Sequence, residues 1–232
     1  MILAQAVEIR DRSGDAGCVA DNGFCPGWIA DNLDRYTDPL GQHLFLTVTS
    51  VAIGFAIAAV LALVAHRRRR LVGPITNATA ILYTIPSVAA FFLLLPITGR
   101  GDDTAIVALT AYTLLILFRN MIDGLDSVPE DSRDAGRGMG LTERQLLWRV
   151  ELPLALPAIV AGLRVATTTT VGLAALAFFA GAGGLGESIQ EDLAFKSNVV
   201  TASVMCVLLA AALDAVLLVV QRLLTPWSRV RA

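Results

Sequence analysis

The chain has 232 residues, 55% of them apolar and 16% charged, with a formal net charge of -2. Soluble domains carry about 25% charged residues, and with a mean hydropathy of +0.66 this composition excludes an ordinary soluble domain and points to a chain built for lipid. The net charge itself decides little, because orientation in a bilayer follows the local placement of Lys and Arg.

Residues 1–42 are mixed in character. The apolar start MILAQAV is short and is followed at once by Glu8, Arg10, Asp11 and Arg12, so it does not read as a signal peptide and targeting is expected to rest on the first span. Cys18 and Cys25 lie in CVADNGFC; outside the cell a disulfide is allowed, and two free thiols are equally open. Trp28 to Leu40 reads either as a short interfacial helix, with Trp28 and Tyr36 in the headgroup zone, or as an irregular arm. Cys206 lies in apolar sequence and reads as packing. No Cys/His cluster suggests a metal.

Crossing the bilayer core takes about 20 apolar residues. Five segments qualify: His43–Ala65, Ile75–Ile97, Thr104–Ile122, Ala155–Phe179 and Val199–Val220. Pro86 falls midway in the second and is expected to kink it. Arg67, Arg68, Arg69 and Arg70 follow the first span directly. Such a run is biased to the cytoplasm and suits anionic lipid; nucleic acid is not an expected partner. Alternation then puts the N-terminus outside and the C-terminus inside. Twelve basic residues fall on the inner side under this scheme and five on the outer (Arg10, Arg12, Arg35, Arg100 and Lys196), with Arg164 inside a span. The domains are an extracytoplasmic arm (1–42), a membrane domain (43–222) and a short cytoplasmic tail (223–232).

Between the third and fourth spans lies a patterned polar stretch, SVPEDSRDAGRGMGLTERQLLWRVELPLALPAI. Ser132 is placed to cap a helix from Arg133, and Gly140 to end it. Thr142 is placed to cap a second helix, Glu143 to Val150, whose Leu146, Leu147 and Val150 recur at helical spacing. Pro153 and Pro157 are expected to end it. Gly136, Gly138 and Gly140 would let a partner approach the backbone of this helix–turn–helix.

Two charges lie inside predicted spans, where they are costly and usually face a partner or water. Arg164 is about nine residues past the inner end of the fourth span and Asp214 about eight before Arg222, where the membrane domain ends on the inner side, so at about 1.5 Å per residue both sit roughly 12–14 Å deep. Matching depth predicts an ion pair between the two helices. Thr167, Thr168, Thr169 and Thr170 would either line a passage or bond back to their own helix. Asn120 and Arg119 close the third span on the inner side, and Arg119 is expected to snorkel or to cap the helix end. Gly181, Gly183, Gly184 and Gly186 permit either a tight re-entrant turn or a flexible loop.

The polar stretch resembles the "EAA" loop of permease subunits of ATP-binding-cassette importers. That pattern is Glu-Ala-Ala, three residues, Gly, nine residues, Ile, one residue, Leu-Pro. Asp134, Ala135 and Gly136 stand at its first three positions, Gly140 keeps the Gly, Val150 replaces the Ile, and Leu152 and Pro153 keep the Leu-Pro. The stretch from Thr84-Ile85-Pro86-Ser87 to Gly183-Gly184-Leu185-Gly186 is similar to the osmoprotectant branch, which carries glycine betaine, carnitine, choline or proline. The resemblance covers roughly residues 43–222. It implies an all-α membrane protein with the type I importer permease fold, its loop docking as a coupling helix on an ATPase dimer that holds ATP and Mg. It also implies a second permease subunit, identical or paralogous, and a separate extracytoplasmic binding protein near the Gly181–Gly186 turn. The chain has no GxxxxGK[ST] phosphate loop, so the ATPase is expected to be another chain and this one to bind no cofactor. A permease for another small solute, such as an amino acid, is the alternative. A membrane enzyme is disfavoured by the absence of HExxH, of paired intramembrane Asp and of a Ser–His partnership. A channel or secondary transporter has no use for the coupling loop.

Overall fold

The computed structural model describes residues 16–226; MILAQAV, Arg10, Arg12, Arg229 and Arg231 lie outside the described residues. The described residues form helices and turns without strands. Helix α1 (Ala16–Ala20) and helix α2 (Pro26–Asp31) are joined by a disulfide between Cys18 and Cys25. The arm packs against protein through the rings of Trp28 and Tyr36. Trp28 is buried edge-to-face on Phe195 with centroids 4.7 Å apart. Tyr36 is buried too, its hydroxyl donating to Asn198 Oδ1 at 2.7 Å. Cys25 N–H donates to Ser197 Oγ at 2.7 Å. These partners bury the two aromatic rings against protein.

Helix α3 (Thr37–Arg67) is longer than the predicted span at both ends, with Asp38 in its first turn and His66 and Arg67 in its last, each favourable to the helix dipole. The second predicted span is two helices, α4 (Val72–Thr84) and α5 (Ser87–Thr98), bent by 96°. The expected kink is thus a break. Pro86 forces the residue before it out of the helical region, and Ile85 and Pro86 are both extended, with ψ of 127° and 133°. Helix α6 (Asp102–Asp126) follows, then α7 (Glu130–Gly138) and α8 (Glu143–Leu146). A wide π turn over Leu147–Glu151 carries α8 into α9 (Leu152–Ala174) without a stop. Pro153 therefore does not end this helix. It sits in the first turn after the widened one, where its missing N–H costs little. A 3-10 turn (Ala177–Ala180), α10 (Leu185–Glu191) and α11 (Lys196–Leu224) complete the chain, so α9 stops short of the predicted end at Phe179.

Side-chain bonds at the two ends of the bundle fix the number of crossings. At one end Gln42 Nε2 donates to Asp102 Oδ1 at 2.7 Å and to the Ala182 carbonyl at 3.0 Å, and His43 Nε2 donates to the Val171 carbonyl at 2.9 Å. At the other, Arg69 pairs with Asp126, and His66 Nε2 lies 2.9 Å from Glu151 Oε2. Helices α3 and α6 are therefore parallel, and residues 68–101 must recross the full thickness: α4 and α5 together make one broken crossing. Helix α9 runs back, and α11 returns, bonded to the arm at its start and to the Pro157 carbonyl through Gln221 Nε2 (3.3 Å) near its end. Close packing of α3, α6 and α9 depends on small residues, as usual between membrane helices. A Cβ on Gly54 would lie 1.9 Å from Thr113 Oγ1, and one on Gly162 would lie 2.3 Å from Asn120 Cβ.

Candidate functional site: the elbow and its buried carboxylate

The elbow begins at Pro129, which enters α7 without a side-chain cap; Ser132 lies inside the first turn instead of capping it. After α7 the chain turns at Gly140, whose φ is +80°, a left-handed conformation that favours glycine. Thr142 caps α8 as the sequence predicts, in a capping box with Gln145. The motif residues then divide. Asp134, Ala135 and Gly140 are exposed, as is Met139 at 74%. Gly136 faces inward: a Cβ there would lie 2.5 Å from Leu146 Cδ1 and 3.6 Å from Val150 Cγ2. It serves the packing of α7 on α8, and only Gly138 and Gly140 leave backbone open to a partner. Leu152 is partly buried against the main core cluster, and Pro153 is half-buried beside it.

Beneath the elbow sits a residue that the motif did not single out. Glu151 is buried, its side chain 7% exposed. Arg133 Nε of α7 donates to its Oε1 at 2.7 Å, and His66 of α3 meets its Oε2. Arg133 also donates to the Leu125 carbonyl of α6 at 2.8 Å and to Glu130 at 3.0 Å. The carboxylate thus ties α7 to α3 and to the start of α9, and the same Arg133 ties α7 to α6. On the outer side of α7, hydrogen bonds from Arg133 and Arg137 hold the Glu130 carboxyl below the usual carboxylate range. Asp134 pairs with Arg137 of its own helix at 3.3 Å and stays 68% exposed, so the surface pair contributes little to rigidity while its carboxylate stays open to a partner. A signal for Glu151 was present: it is the single acid between Arg149 and the apolar run of α9, and a carboxylate at that boundary needs a cation. Which cations meet it depends on three elements far apart in sequence.

Inside the membrane, Arg164 and Asp214 meet as their depth predicts, in a two-pronged pair with Nε–Oδ1 and Nη2–Oδ2 both at 2.8 Å. The pair is partly exposed on this chain, 28% and 33%. Three of the four threonines bond back to their own helix: Thr167 to the Leu163 carbonyl (2.8 Å), Thr168 to that of Arg164 (3.1 Å) and Thr170 to that of Ala166 (2.7 Å). Asn120 Nδ2 likewise donates to the Ile116 carbonyl at 2.8 Å while packing on Gly162, and Arg119 is exposed.

At the opposite end of the bundle, the Gly181–Gly186 turn is ordered packing and not a loose loop. Gly181, Gly183 and Gly184 have φ of 78°, 72° and 86°. Gly101 N–H donates to the Ala180 carbonyl at 2.8 Å, and Ala182, Leu185 and Gly186 are buried. A Cβ on Gly186 would lie 1.8 Å from the Ala175 carbonyl oxygen. Gly186→Ala is therefore expected to unseat α10 and sharply lower the thermal unfolding midpoint, because the clash is with backbone that cannot rotate away. Gly172→Ala, with open space around it, is the control; equal midpoints for the two variants would refute the packing role.

The comparisons with known proteins can be set beside this geometry. Residues 50–230 match the family model described as binding-protein-dependent transport system inner membrane component. The chain is 36% identical over 206 residues to the osmoprotectant import permease protein OsmW of Salmonella typhimurium, covering 86% of this chain and 96% of that protein. It is 35% identical over 188 residues to the glycine betaine/carnitine/choline transport system permease protein OpuCB of Bacillus subtilis, covering 80% and 87%. Among solved structures, a chain of the inward-facing MetNI methionine ABC transporter superposes with a TM-score of 0.75 at 24% identity, over 82% of this chain and 96% of that one. That likeness speaks for the fold alone.

Proposed function

Because the chain belongs to the family of binding-protein-dependent transport system inner membrane components, we propose that it is the permease subunit of an ATP-driven importer of osmoprotectants: glycine betaine, choline, carnitine and proline. The solute class rests on the relatives named for osmoprotectant, glycine betaine, carnitine and choline transport. The carrying observation for the mechanism is the exposed elbow joined through the Arg133–Glu151–His66 cluster to three crossings. The chain is a multi-pass protein of the bacterial plasma membrane. It provides the path, and a partner ATPase dimer supplies ATP and Mg chemistry. Asp134, Ala135, Gly140 and Met139 would meet the ATPase, with Gly136, Val150, Leu152 and Pro153 shaping the elbow behind them. Closure of the ATPase dimer would push α7, and the Arg133–Glu151–His66 cluster would pass that displacement to α6, α9 and α3.

The elbow is read as cytoplasmic on two grounds. The Arg67–Arg70 run lies at its end of the bundle, and the Cys18–Cys25 disulfide lies at the other, as an oxidising exterior requires. The Gly181–Gly186 turn would then lie on the side of the extracytoplasmic binding protein. Arg164, Thr168 and Asp214, partly exposed at a depth hostile to bare charge, would face a second permease or the water-filled path between the two.

Reconstitution of the complete complex tests this reading. Uptake of betaine, choline, carnitine and proline is expected to require ATP and the ATPase, and uptake that persists without them would overturn it. Gly140→Trp, strained at φ +80° and set on the open face, is expected to insert normally yet fail to retain the ATPase. Co-purification at the wild-type ratio would remove Gly140 from the docking surface.

A further inference from the structure

The broken crossing places irregular backbone at mid-membrane. Helix α4 stops at Thr84, Ile85 and Pro86 are extended, and α5 starts afresh at Ser87. Tyr112 lies about ten residues into α6, or about 15 Å from its outer end, and its hydroxyl donates to the Ile85 carbonyl. The break is therefore near the middle of a core about 30 Å thick. Tyr83 packs edge-on against Tyr112, centroids 5.8 Å apart at 70°, and keeps 39% of its surface exposed; Thr84 and Pro86 are exposed with it. Hydrocarbon does not tolerate freed backbone carbonyls, so such a segment must be buried in protein or line a water-filled cavity.

The chemistry of the break favours one kind of occupant. The last turn of α4 ends with carbonyls directed at it, the negative end of the helix dipole, and an interrupted membrane helix of this type can coordinate a cation through those carbonyls. Residues 71–98 contain no Asp or Glu, so no fixed anion holds a small cation tightly. An exposed aromatic ring beside carbonyl dipoles instead suits a large cation without N–H donors, which binds ring faces. We propose that the Thr84–Ser87 break is a transient station for the quaternary ammonium group of the solute in transit. Tyr83 supplies the ring face, the α4 carbonyls supply the negative end, and Tyr112 acts as a positioning residue that holds Ile85. This inference rests on the solute class proposed above.

The test uses the complete reconstituted transporter with choline and glycine betaine, reading uptake and binding-protein-stimulated ATP hydrolysis in parallel. Tyr83→Leu is expected to lower uptake per ATP hydrolysed by about fivefold, while Tyr83→Phe and Tyr83→Trp keep it near wild type because they retain the ring. Stimulated hydrolysis should stay at the wild-type rate in all three. The proposal is overturned if Tyr83→Leu transports normally, if Tyr83→Phe is as poor as Tyr83→Leu, or if hydrolysis falls in step with uptake. A wild-type complex that carries no quaternary amine would defeat the solute assignment and this inference together; a competent wild type with an indifferent Tyr83→Leu defeats the inference alone.

Discussion

Glu151→Ala is expected to uncouple the transporter and destabilise it by about 3 kcal/mol, the range seen when one partner of a buried ion pair is removed. The reason is the guanidinium left behind. Arg133 is 13% exposed and has Glu151 as its closest carboxylate, at 2.7 Å. Without Glu151 it keeps the Leu125 carbonyl and the exposed Glu130, which cannot follow it inward. His66 loses its contact with the carboxylate at the same time. Helix α7 would stay folded, since Gly136 still packs on Leu146, and bonded to α6 through Arg133, but it would be loose relative to α3 and α9. The measurable signature is ATPase that still binds and hydrolyses, without stimulation by loaded binding protein and without uptake. Asp134→Ala, which removes only an exposed pair, is the comparison, and its unfolding midpoint should stay near wild type. Full coupling in Glu151→Ala would show that the elbow moves the spans by another route.

The second large effect concerns the intramembrane pair. Arg164→Met and Asp214→Leu, made singly, each leave a bare charge at a depth where it must find water or bend the bilayer. Both variants are expected to reduce the yield of assembled transporter to a small fraction of wild type. Two combinations separate pairing from independent roles. The exchange Arg164→Asp with Asp214→Arg restores opposite charges across α9 and α11, and the double neutral Arg164→Met with Asp214→Leu removes both, so each should assemble better than either single change. If the exchange is no better than the singles, the two-pronged contact at 2.8 Å is not what holds these helices together. Assembly without transport in the double neutral variant would assign the pair to the passage as well as to packing.

These two clusters differ in how far they could be read in advance. Arg164 and Asp214 were legible as a pair because depth is a linear property: helical rise converts position in sequence to position across the membrane. The Glu151 cluster was not, because His66, Arg133 and Glu151 share no spacing rule. The same division applies within the polar motif. Its spacing and its Thr142 cap follow from local geometry, whereas the inward direction of Gly136 depends on where Leu146 is held by the helix after it. For Thr167 and Thr168 the residue order left passage lining and back-bonding both open; in the structure each hydroxyl, like the Asn120 amide, donates to a carbonyl of its own helix, the partner always within reach.

The order of residues by itself determined the hydrophobic lengths, the five crossings, the concentration of Arg at one membrane face and the proline that interrupts the second crossing. All of these are set by composition within a window or by one residue's backbone preference. Only the tertiary structure decided that the interruption is a 96° break, that Trp28 and Tyr36 dock on the start of α11, that the Gly181–Gly186 turn is packed, and that the buried Arg133–Glu151–His66 cluster joins the elbow to three crossings. Each of those outcomes is a meeting of distant segments. Hydropathy and helical period describe what a segment requires of its surroundings, and the fold alone determines which neighbour meets that requirement.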